Sequence, residues 1–293
     1  MAQARPQERP LIFITNDDGI ASPGLHAAME AVAPLGNLLV VAPKHQQTGA
    51  GRSFPPAKWE FEAYPLTLRD GTKVEAYALA GSPAQAVRGG LMLLSGRPPD
   101  LLVSGINYGE NVGVGVTISG TVGAAIEGAT LGVPSLAVSL ETAIQHHLVH
   151  SEEVDFSVAA HFTHVFARMM LELSLPPHTD LLKLDIPADA TLETPWRITR
   201  VSRQNYFSST IEERDGVRSF SGYERQVDLE ILEEDSDIYA ILVDGVISLT
   251  PMTIDLTAQS DFGALAAEVK QVLGERPPHS WPPGPIPDEL KGM

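Results

Sequence analysis

Cysteine is missing altogether from the 293 residues. Its absence excludes disulfides, thiolate metal sites and a cysteine nucleophile, and is in keeping with a cytoplasmic location. Positive charge is scarce: 20 Lys and Arg against 37 Asp and Glu leave a net charge of −17. Such a chain lacks the basic surface that nucleic acid or an anionic membrane requires, so neither is an expected partner. An anionic substrate has to be met by a metal or by local amides. No apolar run approaches the ~18 residues of a membrane span. Residues 1–10 are polar and lack the apolar stretch of a secretory signal. Aromatic residues make up 6% of the chain, and no stacking platform for a base, hence no base preference, is legible among them. What the chain does have is apolar residues, 43% of the total, enough for a full core.

Strand and helix patterns alternate through the first two thirds. Leu11 to Thr15 is a buried-strand run, followed by a helix start at Ser22-Pro23, with Ser as N-cap and Pro as first helical residue. The helix runs over about 23–33, with Gly36 as its expected C-cap. Leu38 to Ala42, Leu101 to Ser104, Leu136 to Ser139 and Leu181 to Ile186 read as further core strands. Trp59 to Ala63 and Val74 to Ala78 flank Asp70-Gly71 as a hairpin. Helices are predicted from Ser82-Pro83 to about Leu94, over 121–131, and from a Ser151 cap through Val158, Phe162, Val165, Phe166 and Met169. After about residue 195 long helices give way to strands. Tyr239 to Val243 and Val246 to Thr250 flank Asp244-Gly245, a favoured hairpin turn, and a short helix is expected over about 260–273. The reading is an α/β fold: a Rossmann-like three-layer core with a mostly parallel sheet over residues 11–200, then a C-terminal β-hairpin arm and short helix over 201–275 used in oligomerisation. A polar tail (1–10) and a proline-rich tail (276–293) complete the chain.

Three stretches carry chemistry. Asn16-Asp17-Asp18-Gly19 closes the first strand, so two adjacent carboxylates sit at the carboxyl edge where α/β folds place their sites. Adjacent acids repel, and burial raises the cost, so a cation is the expected companion. Ser104 to Gly113 leaves the third core strand on the same edge. In it Asn107 offers a neutral oxygen to a hard cation, and Asn111 a hydrogen bond to phosphate or to a metal's water; a plain glycine-rich turn reads equally well. Ser119-Gly120-Thr121 opens a small-residue helix and has the composition of an anion site at a helix N-terminus. It is neither a Walker pattern nor a GxGxxG fingerprint.

Taken in order, Thr15 to Ile20, Val41-Ala42-Pro43 with Thr48-Gly49-Ala50, Val103 to Asn107 and Ser119 to Gly128 resemble the SurE family, stationary-phase survival proteins that are metal-dependent 5′-nucleotidases. Leu181 to Pro187 and Asp237 to Thr257 are also similar to that family's later blocks. The resemblance implies one divalent metal ion per subunit, Mg or Mn, held by Asp17, Asp18, Thr48 and Asn107. Four oxygen donors with two negative charges suit such an ion. Thr48 stands where the family usually has serine, Val114-Gly115 where it has an acidic pair, Ile118 where it has tyrosine, and Lys44 to Gln47 in place of an Asp-Arg-containing stretch. These departures bear on substrate preference. The resemblance further implies homodimers or homotetramers.

The residues point to hydrolysis of a phosphate monoester, and the resemblance implies nucleoside 5′-monophosphates as its substrates, with other monoesters or polyphosphate beside them. Asp17 or Asp18 orients or deprotonates the water, while Asn16, Asn111, Ser119, Gly120 and Thr121 hold the phosphate. Two other readings stand beside it: a phosphatase working through an aspartyl-phosphate, and a non-catalytic nucleotide or metal sensor. His146, His147 and His150 read as a solvated connection, His161 and His164 as helix-boundary residues, Arg88 as a helix-surface arginine, and Glu233-Glu234-Asp235 as a solvated turn. His45, Arg52 and Ser53 share the Thr48 loop, and any of them is a candidate to reach phosphate.

Overall fold

Apolar residues in the central strands alternate between two helical layers, which is what a doubly covered parallel sheet demands. The computed structural model describes residues 9–273 apart from Glu152; the N-terminal tail up to residue 8 and the proline-rich tail lie outside the described residues. In chain order the elements begin β1 (Leu11–Thr15), α1 (Pro23–Val32), β2 (Asn37–Pro43), β3 (Phe61–Ala63), β4 (Leu66–Thr67), β5 (Lys73–Leu79), α2 (Pro83–Leu93) and β6 (Leu101–Tyr108). There follow α3 (Gly120–Thr130), β7 (Ser135–Leu140), α4 (Ser157–Glu172), β8 (Leu181–Ile186), β9 (Trp196–Ile198), β10 (Phe207–Arg214), β11 (Val217–Arg225), α5 (Asp237–Leu242), β12 (Ile247–Met252) and α6 (Phe262–Leu273).

The main sheet runs β3-β5-β2-β1-β6-β7-β8-β12-β9. From β5 to β8 every neighbouring pair is parallel; β3 and β12 add antiparallel pairings at either side. Ile12, Ile14, Val40, Val103 and Val138 face α1 and α4, packing with Leu25, Met29, Phe162 and Phe166. Phe13, Leu39, Val41 and Leu102 face the other way, against Ala86 and Val87 of α2 and Ala124 of α3. The chain steps outward from β1 in both directions, to β2 on one side and β6 on the other. A crevice therefore opens between the carboxyl ends of β1 and β6, the usual ligand position of such sheets. The register Thr15↔Ser104 sets the loops after those two strands side by side.

Three local expectations are corrected. Residues 239–243 are not a strand: Tyr239 to Leu242 belong to α5 and Val243 is its C-cap, while the N-cap Ser236 accepts a hydrogen bond from the Tyr239 N–H at 3.2 Å. The β-prone Tyr-Ala-Ile-Leu-Val string is overruled by that cap and by burial of Ile238, Ala240 and Ile241. Asp244-Gly245 then ends the helix. Gly245 takes φ +62°, and the N–H groups of Asp244 and Val246 return to the carbonyls of Tyr239 and Ala240. A left-handed glycine serves a helix end as well as a hairpin turn. The arm hairpin is instead β10–β11, turning at Asp215 (φ +54°) and Gly216 (φ +76°). Second, α4 begins at Ser157 after Phe156, so Ser151 is not its cap. Third, α1 ends at Ala33, before Gly36.

Residues up to Ile254 form one compact unit and those from Asp255 another. In the described part of the second unit, α6 carries Phe262, Leu265, Val269 and Val272 at helical spacing, all exposed.

Candidate active site

Asn16 locks the turn that follows β1. Its Oδ1 accepts from the Gly19 N–H and its Nδ2 donates to the Gly19 carbonyl, both at 3.1 Å, while Gly19 takes φ +101°. Behind this closed ring Asp17 and Asp18 are 3% and 1% exposed; Asp17 lines the cavity described below and Asp18 does not. Asn16 is thereby committed to the turn and does not line the cavity.

Asp17 is met by the start of α3. The Thr121 hydroxyl donates to Asp17 Oδ1. Gly120 sits so close that an added Cβ would lie 2.6 Å from the Asp17 Cβ, so only glycine fits there. Burial pushes the Asp17 carboxyl up to about 6, against the Thr121 hydroxyl and the backbone amides of Gly120 and Thr121, which pull it down. The helix N-terminus expected to bind phosphate thus acts first on this carboxylate. Ser119 caps α3, accepting from the Val122 N–H at 3.1 Å. Asp18 is raised well above the ordinary carboxylate range by burial and then by the charge of Asp17. Its Oδ1 accepts from Gln46 Nε2 at 3.0 Å, its Oδ2 from the Tyr108 N–H at 3.3 Å. Gln46 also donates to the His147 carbonyl at 2.8 Å, so one residue of the departing Lys44–Gln47 stretch steadies Asp18.

Among the described residues no lysine or arginine forms an ion pair with Asp17 or Asp18. Two buried adjacent carboxylates without a countercharge fit a cation site. The neighbouring oxygens are of the kind a hard cation takes: Asn107 gives its Nδ2 to the carbonyls of Gly109 (2.7 Å) and Tyr108 (3.2 Å), which leaves its Oδ1 available as an acceptor. A single cavity of about 340 Å³ is lined by Asp17, Thr48, Asn107, Asn111 and Ser119 and also by Tyr206, Phe207, Tyr223 and His147. Gly115 and Ile118 lie on its wall too, at two of the positions where the sequence departs from the family pattern. Two larger hollows, of about 560 and 580 Å³, hold none of these residues.

The aromatic side of the cavity is a packed group. His147 and Tyr223 stack with centroids 5.9 Å apart, and Phe207 meets Tyr206, Tyr223 and His147 edge-on at 4.9, 5.3 and 5.6 Å. His147 is 6% exposed, with Nδ1 3.0 Å from the Tyr223 hydroxyl, and burial lowers its pKa. The reading of residues 146–150 as a solvated connection holds for Leu148 to His150, which are exposed, and fails at His147, which is buried in the cavity wall; His150 Nε2 lies 2.9 Å from the Asp18 carbonyl. No sequence signal marked Tyr206, Phe207 or Tyr223, because they arrive from the arm, far from the motif loops. Glu110, next to Asn111, is also buried. Its Oε1 accepts from Arg225 Nη2 at 2.9 Å, and burial lifts its carboxyl up to about 7.

Of the Thr48 loop, none of His45, Arg52 and Ser53 lines the cavity. Arg52 and Arg88 both pair with the buried Glu127 of α3, so Arg88 is an ion-pair residue rather than a free surface one. Glu233 and Asp235 likewise pair with Arg200, and His164 Nδ1 lies 2.8 Å from the Ala31 carbonyl, a boundary position as expected.

Over residues 12–208 the sequence matches the family described as Survival protein SurE. The chain belongs to the SurE family. It is 42% identical over 264 residues to a protein of Methanothrix thermoacetophila named 5′-nucleotidase SurE, covering 87% of this chain and 96% of that one. A protein of the same name from Thermococcus kodakarensis is 40% identical over 274 residues, covering 91% and 99%. The crystal structure of the SurE protein from Aquifex aeolicus superposes with a TM-score of 0.69 at 28% identity, covering 90% of this chain and all of that one.

Proposed function

We propose that this SurE-family chain is a 5′-nucleotidase that hydrolyses nucleoside 5′-monophosphates with the help of a divalent cation. The observation that carries this reading is a single cavity lined both by a carboxylate–amide group (Asp17, Asn107, Asn111) and by an aromatic group (Tyr206, Phe207, Tyr223). A cation and the phosphate it would hold need the first set, and a nucleobase the second. The relatives named 5′-nucleotidase SurE support it.

Asp17, Asp18, Thr48 and Asn107 hold the cation, Mg²⁺ or Mn²⁺, one per subunit. When bound it would polarise the phosphoryl oxygens and acidify water. Asn111 orients the phosphate, together with the α3 start at Ser119, Gly120 and Thr121. Asp17 or Asp18 takes the proton of the attacking water. The water oxygen bonds to phosphorus, the P–O5′ bond breaks, and the aspartate returns the proton to the departing O5′ oxygen, so that the nucleoside leaves as an alcohol. The aromatic wall shields the site from bulk water and stacks on the base. The arm's Ile211 and Phe220, a cross-strand pair 67% and 78% exposed, serves contact between copies, in a homodimer or larger homo-oligomer. Phosphate release from nucleoside 5′-monophosphates with added Mn²⁺ tests the activity. Release from the wild type and none from Asp17→Asn supports it; no release from the wild type contradicts it.

A further inference from the structure

The register of the central sheet sets Asn107, Ser139 and Asp185 in one row across β6, β7 and β8. Ser139 and Asp185 both grip Asn111. The Asn111 N–H donates to Asp185 Oδ1 at 2.8 Å, and Asn111 Nδ2 donates to Ser139 Oγ at 2.8 Å. Asp185 is itself held by the Lys183 ammonium, which also reaches Asp237 Oδ2 at 3.2 Å. Asp237 in turn accepts from the Gly113 N–H at 3.1 Å and from the Ser202 N–H at 2.9 Å. All three side chains are fully buried.

Burial pulls the Lys183 pKa down, but the two carboxylates more than offset it, so the lysine stays charged. A buried ion triad of this kind contributes little net stability compared with a well-packed apolar substitute. What an apolar substitute cannot supply is two carboxylate oxygens aimed at the amides of Asn111 and Gly113. Asn111 lines the cavity beside Asp17 and Thr48, so fixing its backbone and its amide nitrogen fixes what it presents there. Preorganised groups of this sort bind a phosphate without reorganising when it arrives.

We propose that Ser139 and the Lys183–Asp185–Asp237 triad are positioning residues for Asn111, acting on phosphate only through it. The inference rests on the phosphate-binding role given to Asn111 above.

A double-mutant cycle tests it. The affinity of Mn²⁺-loaded protein for inorganic phosphate and kcat/KM for a nucleoside 5′-monophosphate are measured for Asp185→Asn, Ser139→Ala, Asn111→Ala and the two doubles. Ser139→Ala, which removes one hydroxyl, carries the test if Asp185→Asn does not fold. Each single change is expected to weaken phosphate binding roughly tenfold or more, the size of losing one hydrogen bond to a charged group. Once Asn111 is alanine, neither further change should add more than about twofold. Losses that multiply in the doubles overturn the inference and leave the nucleotidase reading standing. Wild-type protein that binds phosphate but releases none from a nucleotide contradicts that reading, and the binding cycle still decides the coupling. Wild-type protein that binds no phosphate overturns both.

Discussion

The Thr121 hydroxyl donates to Asp17 Oδ1 across 104 residues of sequence, so the first turn of α3 and the turn after β1 form one electrostatic unit. The helix amides and the hydroxyl lower the cost of a buried carboxylate, and a cation would lower it further. Thr121→Val should therefore weaken divalent-metal binding about tenfold or more, the loss expected when a hydrogen bond to a charged group goes. Thr121→Ser should retain most of it. Titration of Mn²⁺ against each variant reads the difference; equal affinities for valine and threonine would remove Thr121 from the site.

Asp17→Asn and Asp18→Asn should each abolish phosphate release while leaving the metal-free fold as stable as wild type or more so. Each substitution removes one of two repelling buried charges. Thermal unfolding in EDTA and a phosphate-release assay check the two halves separately. Turnover at the wild-type rate by either variant would exclude that aspartate.

Glu110 makes a pH-dependent contribution whose sign follows from its shift. Its carboxyl rises from 4.5 up to about 7 in the folded chain, where Arg225, Glu141 and Tyr206 face it. Between those values the folded state holds more protons than the unfolded one, so stability falls as pH rises through that window. Glu110→Gln lacks this dependence. Relative to the variant, wild type should lose on the order of 3 kcal/mol between pH 4.5 and 7, given ~1.4 kcal/mol per pKa unit. Denaturant melts at pH 4.5, 6 and 7.5 measure it; parallel curves for the two proteins would contradict the burial account.

Lys183→Met should destabilise the protein by roughly 3–5 kcal/mol, because it strands Asp185 and Asp237 as buried charges without a partner. Equilibrium unfolding in urea provides the value. A loss below ~1 kcal/mol would mean that water already reaches the two carboxylates.

The exposed Ile211–Phe220 pair on the arm predicts an oligomer in solution. An isolated two-stranded ribbon is marginally stable at best, and here its apolar pair is left bare. Light scattering should give at least a dimer for wild type and a smaller mass for Phe220→Asp. A monomeric wild type would contradict it.

The parallel core was legible because its strands are continuous apolar runs followed by helix caps such as Ser82, which makes a capping box with Gln85. The burial of Asp17 and Asp18 at the end of β1 was legible because the acid pair directly closes an apolar strand run; their role as cation ligands is the proposal made above. The 239–250 segment was misread because Asp244-Gly245 serves a helix end as readily as a hairpin turn, and the Ser236 cap decided between them. Asn16 reads from sequence as a phosphate-holding residue, whereas its amide is closed on Gly19. The aromatic wall was not legible: Tyr206, Phe207 and Tyr223 come from the arm and His147 from the loop after β7, and only tertiary packing brings them together. Lys183 and Asp185 sat inside an otherwise apolar strand, and that burial conflict was the signal that could have exposed the triad.

The most direct measurement is phosphate release from a nucleoside 5′-monophosphate by metal-stripped protein, before and after Mn²⁺ is restored, with excess EDTA as control. The account predicts no release from stripped protein, recovery on addition of Mn²⁺, and none in EDTA. Full activity in EDTA, or none at any Mn²⁺ concentration, would contradict it.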